Sequence, residues 1–210
     1  MARLKEFQRQ PTIELNQRPG FKHNTTKWDG HQIEVYDLFF DDLRDKPQSL
    51  IEIGLKNGES LRYWQEFFHH PDTKIVGLDW IIRRVVKRAG DRFTFEFGDQ
   101  NNPTLLKYLA EKHGPFSIVI DDGAHTAKQT KNTWDAFWPQ LQLGGWYVVE
   151  DISEPHAYST LLELVREVFE KEEGVGVNID AALTGFSPMC FFKKTNRKLV
   201  GIKADVKYTL

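Results

Sequence analysis

Residues 49–58, SLIEIGLKNG, join a short apolar run to two glycines four positions apart. An apolar run of this length that ends in glycine predicts a buried β-strand over residues 49–53. Gly54 and Gly58 allow the backbone to turn tightly and a ligand to approach it closely. A helix over residues 58–70 would direct its free N–H groups toward the same point. The stretch predicts the strand, loop and helix of a ligand-binding α/β fold, with an ordinary strand-to-helix turn as the alternative.

Strand and helix patterns continue to alternate outward from this stretch to about residue 173. Further strands are predicted at residues 74–78, 92–97, 116–120 and, after a turn at Gly144-Gly145, 146–149. Helices are predicted between them and over residues 158–171, and later strands at 175–181, 189–192 and 199–203. Short connections between such units favour parallel pairing. We therefore expect a doubly wound, mostly parallel, seven-stranded Rossmann-like sheet with helices on both faces, which binds ligands at the carboxyl ends of its strands.

The chain length and the position of these patterns predict one domain with a short arm. Residues 1–30 are polar and show little periodicity, so we expect an irregular N-terminal arm. The rest of the chain, residues 31–210, is expected to form a single domain. The sequence has one cysteine, Cys190, which excludes a disulfide framework and a multi-cysteine zinc site. Composition leaves open whether the chain forms a homo-oligomer.

Charge and hydropathy bear on location and partners. The net charge of −2 argues against a broad nucleic-acid-binding face. No apolar run approaches the roughly 18 residues of a membrane span, and the N-terminus lacks the apolar core of a signal peptide. We therefore expect a cytoplasmic protein with neither a membrane nor a nucleic-acid partner.

Polar side chains at the ends of the first three strands predict a cofactor site. A dinucleotide fingerprint would have its second glycine where Leu55 and Lys56 stand, so a cofactor without a pyrophosphate is favoured. Asp79, about 25 residues after the first glycine, suits a ribose diol. Trp80 could cover a purine, and Asp99 could accept from an adenine amine. The alternatives are a helix-capping aspartate, a core tryptophan and a turn aspartate.

Two acidic pairs follow the fourth and fifth strands, Asp121-Asp122 and Glu150-Asp151. Neighbouring parallel strands lie roughly 4.8 Å apart, so if these two strands are neighbours, three or four of the carboxylates would converge at one edge of the sheet. Like charges this close do not all remain ionised without a cation. Oxygen ligands suit Mg²⁺, Mn²⁺ or Ca²⁺ rather than zinc. Alternatively, one carboxylate of each pair caps a helix and the other is solvated.

Two further features lie near the predicted site. His125 follows Asp122 by three residues and precedes a predicted helix, whose N-terminus favours the neutral imidazole that can act as a base. A surface or capping histidine is the alternative. Residues 25–28, TTKW, together with His31 and Tyr36, could fold over the cofactor pocket or simply pack as part of the arm.

Taken together, these motifs resemble known methyltransferases. The pattern of Glu52, Gly54 and Gly58, with Asp79 and Gly98-Asp99-Gln100, is similar to the class I S-adenosylmethionine (SAM) methyltransferases. The segments IDDGAH (120–125) and VVEDI (148–152), preceded by Leu143-Gly144-Gly145, resemble the metal-dependent macrolide-sugar O-methyltransferases and the related cephalosporin hydroxylase-like group. The resemblance covers about residues 24–194.

The resemblance implies a function and a set of site residues. Asp122, Glu150 and Asp151 would bind Mg²⁺ or Mn²⁺, and His125 would act as the catalytic base. The acceptor would be a hydroxyl of a small polyhydroxylated molecule such as a sugar, methylated from SAM. Ala124 departs from the serine usual in this family. The residues expected to bind SAM are Glu52, Gly54, Gly58, Asp79, Trp80, Asp99, Gln100 and Asp121.

Two other classes of function stay open from the sequence. A nicotinamide-dependent oxidoreductase is disfavoured by the missing third glycine of the dinucleotide fingerprint. A non-catalytic module that binds SAM or metal would have no need of an intact histidine beside the acidic pairs. Binding of a nicotinamide cofactor instead of SAM, or binding without turnover, would distinguish these alternatives.

Overall fold

Strands and helices alternate along the computed structural model, which describes residues 25–27, 32–81, 91–152, 155–184 and 187–196. The strands are β1 (Ser49–Ile53), β2 (Lys74–Asp79), β3 (Phe93–Phe97), β4 (Phe116–Asp121), β5 (Leu141–Val149), β6 (Gly176–Thr184) and β7 (Ser187–Thr195). The α-helices are α1 (Gln32–Phe40), α2 (Glu59–Phe67), α3 (Pro103–His113), α4 (Ala127–Phe137) and α5 (Pro155–Lys171). Short 3-10 turns follow α1 at Asp41–Leu43 and α4 at Trp138–Gln140.

The seven strands form one sheet in the order β3-β2-β1-β4-β5-β7-β6. The five strands from β3 to β5 pair in parallel, whereas β7 pairs antiparallel with both β5 and β6. This confirms the predicted doubly wound, mostly parallel, seven-stranded sheet. The strand order reverses between β1 and β4, which is where open α/β sheets bind ligands. The helix expected around residues 82–86 and the strand expected at 199–203 lie outside the described residues.

Apolar side chains cover both faces of the sheet. Because successive strand residues point to opposite faces, Leu50 and Ile118 pack with the aromatic residues of α1 and α2 on one face. Ile51 and Val119 pack against α3, α4 and α5 on the other. Each such side chain stabilises the folded state by about 1.5–3 kcal/mol when it is fully buried. Because both faces of the central strands are packed in this way, the ends of these strands are held in fixed positions. Among the described residues, no helix is long and apolar enough to cross a membrane.

One local prediction is wrong, and the sheet explains why. Gly144-Gly145, predicted as a turn, lies inside β5, which begins at Leu141. The pairing of β4 with β5 shifts register between Phe116↔Leu141 and Ile118↔Trp146, and Gly144 has a φ of +82°. The two glycines therefore form an irregularity within a continuous strand, because pairing with β4 overrides the local turn signal.

Candidate active site

A cavity of about 640 Å³ opens at the carboxyl ends of the central strands. It lies at the point where the strand order reverses, and the N-terminal segment contributes Thr25, Thr26 and Lys27 to its wall. The sequence-predicted residues that line it are Gly54, Asp79, Trp80, Asp99, Gln100, Asp122, His125 and Asp151.

The loop after β1 packs directly against the loop after β4. Gly54 has a φ of +88°, a conformation that favours glycine. A Cβ atom at Gly54 would lie 2.0 Å from the carbonyl oxygen of Asp122. The two loops are also joined by the Asp122 N–H, which donates to Ile53 O at 2.9 Å. The glycine predicted to permit close approach of a ligand thus also permits close approach of a neighbouring loop.

Asp79 holds the loop after β1 while it faces the cavity. Its Oδ2 accepts from the backbone N–H groups of Leu55 at 2.8 Å and Lys56 at 3.1 Å, and its Oδ1 accepts from Ile81 N–H at 2.9 Å. Trp80 next to it is 65 % exposed, so it is not the core tryptophan considered as an alternative. This indole face is available to a flat ligand.

Gln100, which lines the cavity, and Asp121, which does not, hold the loop after β4 in place. The Gln100 Nε2 donates to Asp121 Oδ1 at 2.7 Å and to Thr133 Oγ1 at 2.8 Å. Its Oε1 accepts from Ala124 N–H at 3.0 Å. Burial raises the pKa of Asp121 to about 6, against the lowering effect of its hydrogen bonds. The arrangement positions residues 121–125 rather than presenting Asp121 to the cavity.

Glu52 and Gly58 also lie behind the cavity wall. The Glu52 carboxylate is fully buried and accepts from Ser60 Oγ at 2.7 Å and Trp64 Nε1 at 3.2 Å. Gly58, at a φ of +81°, occupies the N-cap of α2. Both residues shape the first loop and the helix that follows it.

Three of the four carboxylates of the two acidic pairs, those of Asp122, Glu150 and Asp151, lie at one edge of the sheet, whereas Asp121 turns away toward Gln100. β5 ends at Val149, and the positive φ of Asp151 (+52°) turns the chain so that this residue reaches the cavity. His125 also has a positive φ, +57°, and its Nε2 lies 4.0 Å from Asp151 Oδ2. Asp122, His125 and Asp151 each offer one ligand atom within 4.8 Å of the others. Non-glycine residues in this strained region often occur at functional sites.

Lys27 lies at the centre of the acidic cluster. Its Nζ is 2.6 Å from Glu150 Oε1, 2.7 Å from Asp122 Oδ2 and 3.2 Å from Glu52 Oε1. Burial alone would lower the pKa of Lys27, but the three carboxylates outweigh it and hold the pKa well above its usual value. The lysine therefore stays charged in an almost fully enclosed position.

α1 supplies two more partners for the same cluster. The Gln32 Nε2 donates to Glu150 Oε2 at 2.5 Å, and the Tyr36 hydroxyl donates to Glu150 Oε1. Burial, and after it the nearby Asp122 carboxylate, raise the pKa of Glu150 and of Asp151. The sequence marked Lys27 and Tyr36 only as parts of a segment near the pocket, and Gln32 was missed. Trp28 and His31 of that segment lie outside the described residues.

Comparison with known proteins finds methyltransferases that are similar in sequence to this chain. Residues 51–152 match the family model described as a methyltransferase domain. Demethylmacrocin O-methyltransferase from Streptomyces fradiae is 39 % identical over 124 residues, which are 56 % of this chain and 30 % of that protein. A tetracenomycin rhamnosyl 3'-O-methyltransferase from Streptomyces olivaceus is 33 % identical over 140 residues, 62 % of this chain and 35 % of that protein. The chain thus spans about a third of the length of these relatives.

Solved structures show the same similarity. The MycE methyltransferase of the mycinamycin pathway, solved with Mg, S-adenosylhomocysteine (SAH) and mycinamycin VI, matches with a TM-score of 0.65 and 28 % identity over 81 % of this chain and 51 % of that one. The fibrillarin of Aeropyrum pernix shares the fold alone, with a TM-score of 0.52 and 16 % identity. Residues 51–152 therefore match a methyltransferase domain, the chain has the class I methyltransferase fold, and its sequence is similar to the macrolide-sugar O-methyltransferases.

Proposed function

We propose that the protein is a SAM- and divalent-metal-dependent O-methyltransferase that acts on a hydroxyl of a small polyhydroxylated molecule, such as a sugar or a glycosylated natural product. The observation that carries this proposal is the single cavity that joins the glycine loop and Asp79 to Asp122, His125 and Asp151. Similarity to sugar O-methyltransferases supports the reaction class. Residues 31–210 would act as one domain, with residues 1–30 as its arm.

The first half of the cavity suits the nucleoside of SAM. Asp79 is placed to accept from ribose hydroxyls, and its existing bonds to backbone N–H groups leave lone pairs for this. Trp80 and Asp99 line the same wall, where they would contact the adenine. A volume of about 640 Å³ is within the range of cofactor sites.

The second half suits a divalent cation. The buried ammonium of Lys27 faces the carboxylates of Glu52, Asp122 and Glu150, and Asp151 adds a fourth acidic group beside them. Mg²⁺ typically uses one or two carboxylates, with water and substrate completing its octahedron. Asp122 and Asp151 face the cavity and would hold it there. When bound, such an ion would lower the pKa of an acceptor hydroxyl and orient it.

His125 is placed to take the proton of that hydroxyl. His125 lines the cavity, and its Nε2 lies 4.0 Å from Asp151 Oδ2. Proton transfer to this nitrogen would leave an alkoxide on the acceptor, with the proton held on His125. SAM would supply the methyl group from its sulfonium and would be released as SAH. Fixing donor and acceptor in one cavity would supply much of the acceleration.

The proposal is tested by methyl transfer from SAM to a panel of free sugars and glycosylated macrolides, read as a product 14 Da heavier than the acceptor. We expect turnover with Mg²⁺ or Mn²⁺ and its loss in EDTA. Full turnover in the chelator would contradict the metal requirement. Tight binding of NAD without binding of SAH, measured by calorimetry, would contradict the methyltransferase proposal itself.

A further inference from the structure

The wall of the cavity is mostly acidic but also contains two lysines. Lys27 and Lys56 both line it. The Lys27 ammonium is held by three carboxylates at 2.6–3.2 Å, whereas Lys56 is exposed and forms no ion pair with any residue that the structure describes. The acidic residues of the wall are Glu59, Asp79, Asp99, Asp122 and Asp151. Lys56 is therefore the lysine that remains available to an anionic group of a ligand.

The backbone of Lys56 is strained and held in place. Lys56 is one of the two residues that stand where a dinucleotide fingerprint would have its second glycine, and its φ of +53° lies in the left-handed region that favours glycine. Non-glycine residues in this region cluster at sites that bind ligands. The Lys56 N–H donates to Asp79 Oδ2 at 3.1 Å, which fixes this part of the loop. Because the side chain is exposed, packing does not account for a lysine at this position.

The surroundings of Lys56 also favour an anion. Gly58, the N-cap of α2, has no side chain to accept from the first N–H groups of that helix, and these groups carry a partial positive charge. Burial raises the pKa of Asp151, and Lys56 is among the positive groups that lower it. The Lys56 ammonium thus lies within electrostatic reach of the metal half of the cavity, although its backbone belongs to the cofactor half.

We infer that Lys56 binds the carboxylate of the methionine moiety of SAM and thereby sets the specificity of the cavity for this cofactor. At neutral pH, SAM carries a sulfonium, an ammonium and a carboxylate. An acidic cavity suits the first two groups and repels the third, so the carboxylate requires a cation. The methionine moiety has to extend from the ribose at Asp79 to the acceptor site at Asp151. The Lys56 N–H donates to the first of these residues, and its charge acts on the second.

The deciding experiment measures, by calorimetry, the affinity for SAH and for decarboxylated SAH, the amine in which hydrogen replaces the carboxylate. Lys56→Met removes the ammonium and keeps most of the side-chain length. We expect it to weaken SAH binding at least tenfold, because a charge-assisted hydrogen bond is lost. Decarboxylated SAH should bind Lys56→Met and the native protein with affinities that agree within threefold. Equal losses for the two ligands, or no loss for SAH, would overturn the inference.

Two further variants separate the local charge from net charge and from folding. Lys107→Met removes an exposed lysine of α3 that does not line the cavity, and it should leave both affinities unchanged. Lys56→Gly removes the ammonium and relieves the left-handed strain. We expect its Tm to be no lower than that of the native protein and its SAH affinity to fall as in Lys56→Met. Native SAH affinity in Lys56→Gly, or a loss in Lys107→Met equal to that in Lys56→Met, would overturn the inference.

This inference rests on the proposed function for the identity of the cofactor, but the two fail in different ways. If the native protein does not bind SAH, the cofactor assignment is wrong and the role of Lys56 fails with it. If the native protein binds SAH and Lys56→Met binds it equally well, the cofactor assignment stands and only the role inferred for Lys56 is wrong.

Discussion

The contact between Gly54 and the carbonyl of Asp122 depends on the absence of one side chain. Gly54 and Gly144 have similar φ angles, +88° and +82°, but a Cβ at Gly144 would meet nothing within 4 Å. Alanine at either position must adopt the left-handed conformation, which costs about 1–2 kcal/mol. The difference in the free energy of unfolding between Gly54→Ala and Gly144→Ala therefore measures the clash of the Cβ atom at position 54 with the loop after β4.

We expect Gly144→Ala to lower the free energy of unfolding by about 1–2 kcal/mol and to leave SAH affinity unchanged. Gly54→Ala should cost clearly more and weaken SAH binding at least tenfold, because the 2.0 Å contact forces the two loops apart. Urea denaturation and calorimetry would measure these effects. Equal losses of stability, with SAH affinity retained in both variants, would contradict this account of Gly54.

His125 has a role that can be separated from those of the metal ligands. His125→Ala removes the proton acceptor but keeps the carboxylates, and a general base contributes typically about 10²–10⁴ in rate. We expect kcat with saturating Mg²⁺ to fall within that range while SAH affinity is unchanged. His69→Ala, at an exposed position outside the site, is the control. A loss smaller than about threefold for His125→Ala would leave the metal as the activator of the hydroxyl.

Most of the side chains that line the cavity could be predicted from the sequence, but the positive charge of Lys27 within the acidic cluster could not. Asp79, Asp122 and His125 were recognisable because each lies within five residues after the end of a predicted strand, a position that parallel sheets place at one edge. Lys27 carries no such local signal. Its bonds to Asp122 and Glu150 span 95 and 123 positions of the chain. Such a pairing can be found only once the N-terminal segment is placed over the sheet.

At the scale of elements, local signals located the helices and strands well and their ends less well. α3 begins at Pro103, directly after Asn102, whose side chain caps the helix by accepting from Leu105 N–H at 3.1 Å. β5 begins five residues before its predicted start because it pairs with β4 again at Leu141, on the other side of the irregularity at Gly144-Gly145. Hydrogen bonds to a neighbouring strand decide such boundaries, and they are not encoded within a short window of sequence.

β3 and α3 are joined by an ionic contact that gives a testable pH dependence. Glu96 Oε1 lies 2.7 Å from Lys112 Nζ and 2.6 Å from His113 Nε2. Partial burial raises the pKa of Glu96, but these hydrogen bonds outweigh it and leave the pKa below its usual value. Because the folded state binds its proton less readily than the unfolded state, the contact stabilises the fold above the unfolded pKa of about 4.3.

We therefore expect Glu96→Gln to lower the free energy of unfolding by about 0.5–1 kcal/mol at pH 7, as for other partly exposed pairs. The difference from the native protein should shrink as pH falls through the pKa of Glu96 in the folded state. Urea denaturation from pH 7 to pH 3 would measure it. Glu167→Gln, which removes a more exposed pair with Lys171 within α5, should have a smaller effect. A difference for Glu96→Gln that grew as pH fell would contradict the sign of this pKa shift.

For the whole molecule, chain order and the handedness of strand-helix-strand units explain how the site is assembled. Right-handed crossovers between parallel strands carry the chain outward from β1 to β3, then back to β4 and β5 on the other side. The two halves meet at β1 and β4, so the predicted cofactor residues of one half face the acidic pairs of the other. The meeting of the two halves can be predicted from the alternation of strands and helices along the chain. The position of the N-terminal segment over β1 and β4 cannot be predicted in this way.

A ligand that bridges these two halves should stabilise the whole fold. SAH that binds only the folded state should raise the free energy of unfolding by about 2.7 kcal/mol at a hundredfold excess over Kd. For a domain of 150–250 residues, each kcal/mol corresponds to about 2–4 °C in Tm, so we expect a rise of roughly 5–11 °C in a thermal scan. Asp79→Asn should reduce this rise at the same SAH concentration, because it weakens acceptance from ribose hydroxyls. NAD at equal concentration is the control, and a rise with NAD but none with SAH would contradict the assignment of this cavity to SAM.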